Sequence, residues 1–79
     1  MAKLIKLPDG PYIKADAVTS VGDVWENEYV SGWNYNVYYN NHLDEPNCYT
    51  VRLNEKFVKD EDKAKDWQSR FIETVNNNL

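Results

Sequence analysis

Between Trp33 and Asn40 the chain reads WNYNVYYN, and this run constrains the fold more than any other. Large residues alternate with asparagine, and no charge interrupts them. Successive side chains of a strand point to opposite faces, so this period of two specifies a β-strand. Trp33, Tyr35, Val37 and Tyr39 then line one face, and Asn34, Asn36, Tyr38 and Asn40 the other. An alternating strand is half buried, so the Trp33 face is expected to be core and the Asn34 face open.

Other segments supply partners for this strand. In KLIKLPDGPYIK, Pro8-Asp9-Gly10 has the chemistry of a turn: proline fixes φ, aspartate bonds local backbone and glycine accepts positive φ. A hairpin with arms at residues 3 to 7 and 11 to 14 is expected. ADAV reads as a tight corner. VTSVGDVW is β-branched and reads as a strand, with Gly22 marking a bulge or an early end. Pro46 keeps NNHLDEPN out of a central strand. CYTVRL, residues 48 to 53, alternates again, with Tyr49, Val51 and Leu53 on one face and Cys48, Thr50 and Arg52 on the other.

The last element is helical. Ala64, Trp67, Phe71 and Val75 recur at spacings of three and four over residues 60 to 76, which makes an apolar stripe. Asp60 is the expected N-cap, and Glu61 and Asp62 place negative charge at the positive end of the helix dipole. The expected fold is therefore α+β: one domain over residues 1–79, an antiparallel meander of about four or five strands, and one C-terminal amphipathic helix packed on one face. The predicted core is Ile5, Leu7, Ile13, Val18, Val21, Val37, Val51, Leu53, Phe57, Trp67, Phe71 and Val75. The order of parts, with YIKADAVTSV between a strand–turn unit and two strands and then a helix, resembles the FlbD-like small bacterial proteins. That likeness is architectural and carries no functional residue with it.

The 79 residues carry a net charge of −4, but its distribution says more. No Lys or Arg lies between Lys14 and Arg52, while Asp16, Asp23, Glu26, Glu28, Asp44 and Glu45 all do. The same stretch holds Trp25, Tyr29, Trp33, Tyr35, Tyr38, Tyr39 and Tyr49. One helix, about 10–12 Å across, covers two or three strands about 4.8 Å apart, so these aromatics exceed what it can cover. Tyr and Trp are enriched at protein interfaces, and carboxylates steer a cationic partner. The expected function is a non-catalytic protein–protein interaction module, an acidic inhibitor or adaptor whose partner is basic or amphipathic. Trp25, Glu26, Glu28, Tyr29, Tyr38 and Arg52 are the expected contact residues, and a homodimer is the other ordinary use of such a surface. The alternative is carbohydrate or small-ligand binding through Asn, Tyr and Trp on the sheet. Single-stranded nucleic acid fits less well, because Arg52 is the one cation on the aromatic strands and phosphate binding needs several.

Catalytic and metal signatures are missing from the sequence. With one His and one Cys there is no zinc spacing, and HLDEPNC has neither a calcium-loop pattern nor a glycine-rich turn to hold an oxyanion. No enzyme activity and no cofactor are expected. The start, MAKLIK, lacks the apolar region of a signal peptide, and no apolar run is long enough for a membrane span. The lone Cys48 suits a reducing cytosol, so a cytoplasmic protein is expected.

Overall fold

The computed structural model describes residues 3–27, 32–54 and 56–79. The architecture is α+β, with antiparallel sheets and one C-terminal helix. In chain order the strands are β1 (Leu4–Lys6), β2 (Tyr12–Lys14), β3 (Val18–Val21), β4 (Trp25–Glu26), β5 (Trp33–Asn40) and β6 (Pro46–Arg52). A 3-10 turn at Ala15–Ala17 joins β2 to β3, and helix α1 runs over Glu61–Asn77.

The alternating run forms β5, which is the centre of the larger sheet. Strand β6 pairs along its length, from Asn34↔Arg52 to Asn40↔Pro46. Strands β3 and β4 share its other side end to end: β3 opposes Val37 to Tyr39 and β4 opposes Trp33 and Asn34. The expected single strand over 18–25 is thus broken. It ends before Gly22, and the register slips between Val18 and Ser20. There the Thr19 hydroxyl donates to Tyr38 O at 3.1 Å, supplying one bond at the irregularity.

The Pro-Asp-Gly hairpin forms as expected, but its left-handed residue is Asp9 (φ 55°), not Gly10. Aspartate tolerates this conformation. Gly10 is required for space: a Cβ there would lie 2.8 Å from Cζ of Tyr49. The Tyr49 hydroxyl also donates to Pro8 O at 2.8 Å, so the hairpin tip is seated on β6. At the other end of the hairpin, Lys3 N–H donates to Asn78 O at 2.9 Å and Ala15 N–H donates to Lys3 O at 3.0 Å. The hairpin is a separate two-stranded sheet, and the break of 18–25 into β3 and β4 brings the strands among the described residues to six.

One core joins the parts. Ile5 and Leu7 of the hairpin meet Ala15, Tyr35, Val37 and Val51 of the sheet side and Phe71 and Val75 of the helix. The Tyr35 and Phe71 rings lie 6.1 Å apart at a 47° tilt. In α1 the buried stripe is Ala64, Phe71 and Val75, with half-buried Gln68 between them donating its amide to Gly22 O. Trp67, expected in the core, lies beside this stripe and is 42% exposed. The Arg70 guanidinium stacks over its indole at 5.3 Å. Phe57 also departs from expectation, at 68% exposed against 2% for Val58. A turn closed by Phe57 and Val58 N–H on Asn54 O, with Lys56 N–H on Asn54 Oδ1, turns Val58 inward instead.

Candidate functional site

The face of the larger sheet away from α1 follows from register and pleat. Residues directly opposite in an antiparallel ladder share a face. Trp25, Asn34 and Arg52 therefore form one row across β4, β5 and β6. Asn36 and Thr50 form the next, and Ser20, Tyr38 and Cys48 the one after. The opposite face carries Tyr35, Val37, Val51 and half-buried Tyr39 and Tyr49, as the alternation implied.

This open face is ordered by its own side chains. Thr50 Oγ1 donates to Asn36 Oδ1 at 2.8 Å, and Asn36 Nδ2 donates to the Tyr38 hydroxyl at 3.3 Å. Tyr38 is thereby held with 39% of its surface exposed, the same fraction as Trp25. Asn34 is 5% exposed, between Trp25 on one ladder and Arg52 on the other. Alternation alone predicts a solvent-facing residue at this position. A small amide between two long side chains loses its access to water, and periodicity does not report neighbour size.

Of the six expected contact residues, the fold brings Trp25, Tyr38 and Arg52 onto one face. Glu26 opposes Trp33 and so lies on the other face of β4. Glu28 and Tyr29 lie outside the described residues. The carboxylates cluster at the margins: Asp23 in the break between β3 and β4, Asp44 and Glu45 in the β5–β6 turn, all exposed. That turn is built on Asn41, whose Oδ1 accepts from Leu43 N–H at 2.9 Å and Glu45 N–H at 3.0 Å, with Asp44 left-handed at φ 59°.

Against the turn lies a shallow groove of about 660 Å³ between the hairpin and the end of the sheet, lined by Tyr12, Lys14, Tyr39, His42 and Asn47 among others. Cys48 stands on the open face, opposite Tyr38, and is exposed as a free thiol. Among the described residues no three of His, Cys, Asp and Glu come together as a metal-binding group. No described helix is long and apolar enough to cross a membrane.

These features define a small α+β protein with a helix on one sheet face and an aromatic–amide surface on the other. No family model matches the chain, and neither does any curated protein or solved structure compared with it.

Proposed function

We propose that the chain is a non-catalytic interaction module, an inhibitor or adaptor of the cytoplasm, which docks a basic or amphipathic protein on the open face of its larger sheet. One observation carries this reading: Trp25 and Tyr38 are exposed on a face whose centre is uncharged apart from Arg52 and whose margins hold Asp23, Asp44 and Glu45. Protein interfaces have this anatomy, with aromatic anchors inside and a polar rim that steers the encounter. The Thr50–Asn36–Tyr38 chain fixes the anchor before a partner arrives, which lowers the ordering cost of binding.

The test is affinity capture with the tagged wild-type chain beside a Trp25→Ala/Tyr38→Ala double variant. The double variant is expected to lose the captured protein while its Tm stays within a few degrees, because neither side chain belongs to the buried core. Capture should weaken as salt rises, since the rim charges are exposed. Equal capture by both chains would refute docking on this face.

A further inference from the structure

The two edges of the larger sheet are unlike. The outer edge made by β3 and β4 is short, slips register at Thr19 and breaks at Gly22 to Val24. Short strands and bulges are standard protection against edge-to-edge pairing. Strand β6, the opposite edge, runs unbroken over Pro46–Arg52, and β5 is the one strand it pairs with among the described residues.

Hydrogen-bond parity identifies which β6 backbone groups face outward. Leu53 N–H donates to Trp33 O and Asn41 N–H donates to Glu45 O, both at 2.9 Å. In an antiparallel ladder the bonded pairs alternate, so Asn47, Tyr49 and Val51 direct their N–H and C=O toward β5. Cys48, Thr50 and Arg52 direct theirs away from the sheet. Pro46 falls on the outward parity as well, so its missing N–H costs no bond to β5, and a proline is accommodated at the start of this strand.

The charges of this edge are self-complementary. Residues 46 to 51, PNCYTV, carry none. Arg52 stands at one end, and Asp44 and Glu45 at the other, all exposed. No lysine guards the strand, and Pro46 removes an outward donor only at its end. We infer that β6 is a self-association edge, pairing antiparallel with β6 of a second copy of this chain about a two-fold axis at Tyr49. In that register Cys48 exchanges backbone bonds with Thr50 of the second copy, and Arg52 N–H meets Pro46 C=O. Each Arg52 side chain then lies beside the Asp44–Glu45 corner opposite, twice over by symmetry. The two sheets join into one, with the Trp25 and Tyr38 surfaces continuing across the seam. This pairing uses the backbone edge and stands whether or not those aromatics bind another protein.

A contact of one short strand is at the small end of protein interfaces, so association belongs at micromolar to millimolar concentration. The experiment is sedimentation equilibrium over that range, with amide hydrogen exchange at low and high concentration. Mass is expected to rise toward twice the monomer. Protection of the Cys48, Thr50 and Arg52 amides should rise with it, while Asn47, Tyr49 and Val51 stay protected throughout. Arg52→Glu should abolish association by placing like charges together at both ends. The triple variant Asp44→Asn/Glu45→Arg/Arg52→Glu should restore it, which a merely misfolded chain would not do. A wild-type chain that stays monomeric throughout, or a dimer indifferent to Arg52→Glu and without the outward-amide protection, would overturn the assignment.

Discussion

Tyr35 shows what a buried aromatic in an alternating strand does to its own chemistry. It is 1% exposed within the core cluster and packs against Phe71. Burial disfavours the phenolate and pushes the Tyr35 pKa up from 10.0 to about 12. In the unfolded chain the same phenol ionises near its ordinary value of about 10. Because the folded value is raised, its contribution is complete below pH ~10 and is lost as pH climbs from ~10 toward ~12. The full loss is about 2–3 kcal/mol, because a tenfold change in acidity corresponds to about 1.4 kcal/mol. Urea unfolding through this range should show the decline, and Tyr35→Phe should flatten the Tyr35 part of it. Position 35 is readable as core from period alone. Its neighbour Asn34 is not, because its burial depends on what stands beside it on β4 and β6.

At the scale of elements, helix α1 begins where its sequence says it should. Asp60 is extended (φ −144°, ψ 170°) and its Oδ1 accepts from Lys63 N–H at 2.8 Å. Glu61 and Asp62 follow in the first turn, and Glu61 pairs with Lys65 at 3.1 Å across one turn. That pair is exposed, so its contribution is a few tenths of a kcal/mol. The cap contributes more: Asp60→Ala is expected to cost about 1 kcal/mol, measured as a lower urea midpoint with unchanged slope. Capping is a local code, and it is legible together with the helix limits. The occupant of the stripe is less so. Trp67 and Gln68 both fit the spacing, and only the position of Gly22 O, which takes the Gln68 amide, decides which turns inward. Phe57 and Val58 pose the same problem, and the Asn54 turn resolves it in favour of the smaller residue.

The whole molecule exposes 5847 Å² and measures 37 × 23 × 18 Å. A compact monomer of this mass would expose roughly 5,000 Å². The difference suits a chain with one uncovered sheet face and a hairpin whose tip is seated at a single point. That point is Gly10 against Tyr49. Gly10→Ala would drive a Cβ to 2.8 Å from the Tyr49 ring and disturb the Tyr49–Pro8 bond. A loss of about 1–3 kcal/mol is expected, as for other overpacked sites. In a Tyr49→Leu background the same substitution should cost less, and a double-mutant cycle by urea unfolding measures the difference.

The sequence by itself determined the kinds of element and where most of them begin and end, because periodicity, turn chemistry and capping act within a few residues. It also separated the aromatic, acidic middle from the rest of the chain. Tertiary structure alone decided which of those residues share the open face. It set Trp25, Tyr38 and Arg52 on one face, sent the hairpin into a sheet of its own, and left β6 at the edge of the larger sheet among the described residues. The shared face turns on register between distant strands, where a one-residue slip would reverse every side chain on the strand.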